Sequence, residues 1–307
     1  MKPITLSFFG SHVFAVSILE SLITSPDIEV AYVITQPDKP AGRKKELQSP
    51  PVKVFAQKYP HIPLFQPETL KDYTLPDISV DLCVVAQYGN IIPERIITSP
   101  KHNTLNVHTS LLPQYRGASP IQSALIDGQT TTGTTIMCMD KGLDTGPILS
   151  QKAIAVDPND TYITLSEKLA ILSAELLITT IPEYVTGTIL PQKQDDEKAT
   201  HCKQIKKDEG QIDWRKTAQE IYNRYRGLYF WPGIWTTWNG KRLKLLSIEP
   251  ATEKVAIGTA KVIHDILYIG CAAGSIRVHQ LQLENKKAMD TTIFLKGNST
   301  IHGAQLG

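Results

Sequence analysis

Only four cysteines occur in the 307 residues, Cys83, Cys138, Cys202 and Cys271, and no two of them stand at a paired metal-ligand spacing. Thiols scattered singly exclude a disulfide framework and a zinc ribbon and fit a reducing compartment, so a cytoplasmic protein with no metal centre is expected. Long hydrophobic runs are missing as well. The apolar opening Ile4-Thr5-Leu6-Ser7-Phe8-Phe9 is too short to span a bilayer and lacks a small-residue cleavage site, so neither a membrane anchor nor a targeting segment is expected. Aromatic residues make up 7% and charged residues 20% against 41% hydrophobic, a balance that excludes disordered and fibrous classes and leaves an ordinary globular chain.

The glycine pattern of a dinucleotide site is also lacking. After the first strand-like run the sequence reads Gly10-Ser11-His12-Val13-Phe14-Ala15, with one glycine where Gly-x-Gly-x-x-Gly needs three, and no Walker loop occurs anywhere. A nucleotide-dependent oxidoreductase is therefore disfavoured. What is present is an alternation of strand-like and helix-like stretches. Leu6–Phe9, Glu29–Thr35, Leu82–Ala86, Leu105–His108 and Thr134–Met139 are β-branched or continuously apolar. Phe14–Ser25, Val52–Lys58, Ser119–Asp127 and Leu165–Thr180 carry helical periodicity. This order predicts an α/β domain with a doubly wound, mostly parallel sheet. From Thr188 the chain turns polar, and Gln192-Lys193-Gln194-Asp195-Asp196-Glu197-Lys198 reads as a connector. Beyond it a helix over Thr217–Tyr225 and short strands at Lys241–Ile248, Gly258–His264, Leu267–Ile269 and Ser275–Leu283 predict a smaller OB-like β-barrel. The expected division is 1–188, a linker 189–206, and 207–307. Charge divides similarly: residues 1–202 hold 16 Lys and Arg against 21 Asp and Glu, and residues 203–307 hold 16 against 9. A basic C-terminal part fits contact with a polyanion, or simply a solvated surface.

Three residues carry the chemistry. Asn106 and His108 stand two apart at the end of a strand and so share a face, where sheets of this kind place their ligands. Asp144 sits between Gly142 and Gly146 in the loop after the next strand. An amide, an imidazole and a carboxylate brought together suit acyl transfer to an amine. The oxyanion needs hydrogen-bond donors, the attacking amine needs a proton acceptor, and no Ser or Cys stands as an evident nucleophile. The same residues singly are also what ordinary buried hydrogen bonding uses, and spacing alone leaves that alternative open.

Several stretches, in order, resemble the folate-dependent formyltransferase family. They are Thr35-Gln36-Pro37-Asp38-Lys39-Pro40-Ala41-Gly42-Arg43, Asn106-Val107-His108-Thr109-Ser110-Leu111-Leu112-Pro113, Gly133–Met137, Leu143-Asp144-Thr145-Gly146, Ile212-Asp213-Trp214, Trp231-Pro232 and Lys286-Lys287-Ala288-Met289. The resemblance implies a formyltransferase domain followed by a C-terminal barrel, with Asn106, His108 and Asp144 as the catalytic trio. It implies 10-formyltetrahydrofolate as co-substrate, lined by Ser110, Leu111, Leu112 and Pro113 and bordered by Gln87, Tyr88 and Gly89. Within the family the likeness is nearest to members acting on methionyl initiator tRNA. That partner would be held by the basic loop Arg43-Lys44-Lys45 and, at the start of the basic part, by Lys206 and Lys207. A monomer without a metal is expected. Departures from the family pattern fall at Gly10-Ser11-His12, Thr109, Gln114-Tyr115 and Pro147, outside the trio. The alternatives are a formyltransferase for a small amine, such as a purine precursor or amino sugar, and a non-catalytic RNA-binding protein on the same fold.

Overall fold

A computed structural model describes residues 2–41 and 46–307. The chain forms two compact units, one of Met1–Gly117, Thr131–Ala155 and Ser166–Cys202, the other of Ala118–Thr130, Val156–Leu165 and Lys203–Gly307. These units do not follow the consecutive division into 1–188, 189–206 and 207–307. The short helix at Pro120–Ile126 groups with the second unit because Ile126 packs on that unit's apolar core.

Strands of the first unit are β1 (Ile4–Gly10), β2 (Ile28–Ile34), β3 (Lys39–Ala41), β4 (Glu46–Gln48), β5 (Leu64–Phe65), β6 (Leu82–Ala86), β7 (Thr104–His108), β8 (Arg116–Gly117), β9 (Thr131–Cys138), β10 (Ile148–Ala155) and β11 (His201–Cys202). Seven of them build one sheet in the order β10-β9-β7-β6-β1-β2-β5. The run from β7 to β5 is parallel, whereas β9 is antiparallel to both β7 and β10. The middle of the sheet follows from residue type. All five residues of β6, Leu-Cys-Val-Val-Ala, are buried, as a strand covered on both faces requires. Helix α1 (Val13–Thr24) buries Phe14, Ala15, Ile18, Leu19 and Leu22, the stripe of a helix with one face on a core. Further along are α2 (Pro51–Ala56), α3 (Glu94–Ile97), α4 (Pro120–Ile126) and the long α5 (Tyr162–Val185). On α5, Leu169, Leu177 and Ile181 are fully buried, and Ser173 donates to Thr134 of β9 at 2.7 Å.

In the second unit, α6 (Ala218–Leu228) opens with a capping box: Glu220 N donates to Thr217 Oγ1, and Thr217 N donates to the Glu220 carboxylate. Strands β12 (Ile234–Trp238), β13 (Lys241–Ala251), β14 (Ala260–Ile263), β15 (Ile266–Gly270) and β16 (Ser275–Leu283) pair antiparallel in the order β12-β13-β16-β15-β14, with β17 (Met289–Asp290) against β16. Helix α7 (Thr291–Gly297) follows. The edge strands β12 and β14 do not pair with each other among the described residues. The last residues run between them instead. Thr237 of β12 exchanges backbone hydrogen bonds with Gly307, and Ala260 of β14 donates to the carbonyl of Ala304. The result is a partly open barrel whose gap the chain's own tail fills, which spares both edges from lying unpaired.

Candidate active site

Strand β7 sets two of the three expected residues. Its register pairs Asn106 with Val85 of β6 on one side and with Met137 of β9 on the other, and His108 with Thr135. Alternation sends both side chains to one face. His108 is 5% exposed and Asn106 half-buried, so the imidazole is largely withdrawn from water while the amide still meets it.

Asp144 reaches that face by a detour. Because β9 is antiparallel to β7, it ends at Cys138, opposite Leu105, behind Asn106 and not beyond it. The loop 139–147 therefore has to fold back over the sheet. It does so with Asp144 at φ +54° and with Gly146 so close to the Cys138 carbonyl that a Cβ there would lie 1.9 Å from the oxygen. The carboxylate then meets both partners. Asn106 Nδ2 donates to Oδ1 at 3.3 Å, and His108 Nδ1 lies 3.7 Å from the same oxygen. The other oxygen accepts from Gly117 N at 2.8 Å.

The second imidazole nitrogen decides what the first can do. His108 Nε2 lies 2.9 Å from the carbonyl oxygen of Tyr115. A carbonyl only accepts, so Nε2 carries hydrogen. Nδ1 is then the nitrogen turned to Asp144. It accepts a proton when the ring is neutral and donates when the ring is imidazolium. Asn106, His108 and Asp144 thus converge on one small region containing an amide donor, a ring that can give or take a proton, and a carboxylate held by a backbone N–H.

Residues 2–181 match the family model described as "Formyl transferase", and residues 204–299 match "Formyl transferase, C-terminal domain". The chain belongs to the formyl transferase family. It is 45% identical over 300 residues to "Methionyl-tRNA formyltransferase" of Caldicellulosiruptor saccharolyticus, covering 94% of this chain and 96% of that protein. It is 39% identical over 312 residues to the protein of the same name from Geobacter metallireducens, covering 100% of each. Among solved structures, an N-formyltransferase from Helicobacter canadensis, in complex with folinic acid and dTDP-3-aminofucose, aligns with a TM-score of 0.67 at 20% identity, over 90% of this chain and 98% of that one, a likeness of fold.

The other residues singled out in this formyl transferase fall into three groups. Ser110–Pro113 are pinned by hydrogen bonds to Gln114 and to strands β9 and β10. Ser110 Oγ donates to Gln114 O at 2.6 Å, Leu112 N donates to Thr135 Oγ1 at 3.1 Å, and Gln151 Nε2 donates to Leu112 O at 2.8 Å. Ser110 and Leu112 are buried, and the peptide bond between Leu112 and Pro113 is cis. Gln87-Tyr88-Gly89 follow β6, with Gln87 and Gly89 at positive φ. The Tyr88 ring is buried edge-on against Phe9, its centroid 5.7 Å away, so Gln87 and Gly89 are what this loop presents outward. Lys206 and Lys207 are exposed, and Arg43, Lys44 and Lys45 lie outside the described residues. Sequence reasoning missed the Tyr115 carbonyl, the Gly117 amide, Arg116 and Gln194. Backbone groups leave no mark in side-chain patterns, and Gln194 stands in a stretch whose polarity reads as a connector. The one available signal was Gly117, a glycine inside the Ser110–Ser119 loop.

Proposed function

We propose that this chain transfers the formyl group of 10-formyltetrahydrofolate to the α-amino group of methionine carried on an initiator tRNA. The observation that carries the reading is the meeting of Asn106, His108 and Asp144 about one carboxylate oxygen, in a chain whose full-length relatives bear the name methionyl-tRNA formyltransferase. The neutral amine attacks the formyl carbon. A new C–N bond forms, the carbonyl oxygen takes the charge, and Asn106 Nδ2 and imidazolium Nδ1 of His108 donate to it. Asp144 accepts the proton that the amine loses. Collapse of the oxyanion restores the carbonyl and breaks the bond from the formyl carbon to N10, which takes the proton that Asp144 received and leaves as tetrahydrofolate, so Asp144 ends as the carboxylate it began as.

Two further features support the substrates. Ile91, 93% exposed after Gly89, and Leu143, 66% exposed next to Asp144, offer apolar contact to a flat heterocycle. On the second unit, Glu284 N donates to Arg242 O at 2.8 Å, which sets the turn 284–287 beside the start of β13. Lys241 and Arg242 open β13, and Lys286 and Lys287 lie in that turn. Arg242 stacks on the Trp235 ring at 4.1 Å and its backbone N–H donates to the Glu284 carboxylate, so four cations occur within two short segments joined there, a charge distribution suited to phosphates. The test is to mix the protein with 10-formyltetrahydrofolate and methionyl initiator tRNA and to look for formylmethionine. Uncharged tRNA, elongator methionyl-tRNA and an amino-sugar nucleotide are run beside it. Formylation of the sugar with none of the tRNA would overturn the substrate; no transfer to any amine would overturn the activity.

A further inference from the structure

Gln194 lies in the stretch whose composition marks it as a connector, yet it is 4% exposed and all four hydrogen-bonding positions of its amide are filled. Nε2 donates to the carbonyl oxygens of Asp144 at 2.9 Å and Gly146 at 2.7 Å. Oε1 accepts from Arg116 Nε at 3.0 Å and from a terminal guanidinium nitrogen of Arg116 at 2.8 Å. The two sides are not interchangeable, because carbonyls only accept and a guanidinium only donates. Arg116, itself 4% exposed, also pairs with Asp196 at 2.8 Å. Its neighbour Gly117 supplies the N–H that holds Asp144 Oδ2.

Asp144 is therefore gripped twice by one strut. Its carboxylate is held by the residue after Arg116, and its own carbonyl by Gln194, which Arg116 orients. One amide nitrogen bridging the carbonyls of residues 144 and 146 clamps the turn in which Asp144 stands at φ +54°, a left-handed conformation uncommon for residues with a side chain but tolerated by Asp, so the clamp fixes which way the carboxylate leaves the loop. The same segment steadies His108: Thr200 Oγ1 accepts from Tyr115 N at 2.8 Å, and it is the Tyr115 carbonyl that takes the His108 Nε2 hydrogen. We propose that Gln194, oriented by Arg116, is a positioning residue of the formyl-transfer site, fixing Asp144 over Asn106 and His108. The inference rests on the reading of Asp144 as catalytic.

The test is a double-mutant cycle on the full chain with 10-formyltetrahydrofolate and methionyl-tRNA. Gln194→Ala should lower kcat about 10- to 100-fold with KM for either substrate within about threefold, and in an Asp144→Asn background it should cost no more than about twofold further. Gln194→Glu keeps the shape and the Arg116 contact but loses both donors to the loop. It should fold, lose kcat similarly and displace the acid limb of the pH–rate profile, which a lesion remote from Asp144 leaves in place, and it serves if the alanine variant does not fold. Equal kcat losses for Gln194→Ala with and without the Asp144 carboxylate would overturn the inference and leave the reading of Asp144 intact. So would Gln194→Glu with the wild-type rate and profile. Unchanged kcat in Asp144→Asn itself would overturn both.

Discussion

Gly117 is the position where one added methyl group should damage fold and chemistry together. It stands at φ +121°, and a Cβ built on it lies 2.2 Å from the carbonyl oxygen of Cys202, the residue it pairs with in the short β8–β11 ladder. The obstacle is backbone, so no rotamer change relieves it. Three costs arise in Gly117→Ala. A side chain in this region of backbone space costs about 1–3 kcal/mol. Overpacking against fixed atoms costs about 1–3 kcal/mol. The hydrogen bond from Gly117 N to the Asp144 carboxylate, 2.8 Å long, is of the charged kind worth about 1.5–3 kcal/mol. One shift of the 116–117 backbone relieves part of each, so the total is about 3–5 kcal/mol, not the full sum. At about 2–4 °C per kcal/mol for a unit of this size, the melting temperature should fall by roughly 10 °C. If Asp144 acts as proposed, turnover should fall about 100-fold, the cost of displacing a reacting group by about an ångström. Gly187→Ala is the control: its φ is +77°, but no atom lies within 4 Å of the new Cβ, so it should lose about 1 kcal/mol and no activity. Thermal melts by circular dichroism and single-turnover formylation, run below both melting temperatures, give the comparison. A Gly117→Ala variant that melts and turns over like the Gly187→Ala control would refute the reasoning.

Asp38 accepts from Gln66 Nε2, Lys53 Nζ and Ser49 Oγ, and these bonds, Gln66 first, hold its carboxyl below the ordinary 3.8. A depressed carboxylate contributes stability above its ordinary value and loses it as pH falls through the lowered one, so the gap in urea midpoint between wild type and Asp38→Asn should shrink between about pH 6 and pH 3; a constant gap would count against the assignment. Leu306, 2% exposed in the tail that runs between β12 and β14, should cost about 2–4 kcal/mol as Leu306→Ala, read from chemical denaturation; a loss below about 0.5 kcal/mol would mean that the tail does not hold the barrel. Lys286→Ala with Lys287→Ala should weaken tRNA binding and reduce the slope of log affinity against log salt by about 1–2, whereas an unchanged slope would remove that turn from the RNA contact.

Much of the architecture is written in residue type. Leu82–Ala86 is apolar without a break and lies mid-sheet; Thr217 and Glu220 announce the start of α6 three residues apart. Strand β10 escaped notice because Ile-Leu-Ser-Gln-Lys-Ala-Ile-Ala belongs to a half-exposed edge, whose polar residues break the apolar pattern. The direction of β9 was equally hidden, since alternation along a strand is the same whichever way the strand runs. Within the candidate site, Asn106 and His108 could be read from their spacing of two, and Asp144 from its flanking glycines. The groups that hold them could not, because two are backbone atoms and Gln194 acts across 78 residues on Arg116 and 50 on Asp144.

The need for the groups around Asp144 traces to the reversal at β9. A parallel strand in that place would deliver its following loop beyond the carboxyl end of β7, near His108, with no need to turn back. An antiparallel one ends behind Asn106, and the loop must return across the face to bring a carboxylate to Asn106 and His108. That return requires Gly146 to pass the Cys138 carbonyl and places Asp144 in the left-handed region. The left-handed backbone at Asp144 is uncommon for a residue with a side chain, and the segment 194–202 holds the turn and its neighbours through Gln194, Thr200 and the β11 pairing with β8. The polar stretch that composition marks as a connector is thus, in physical terms, the brace that a reversed strand makes necessary.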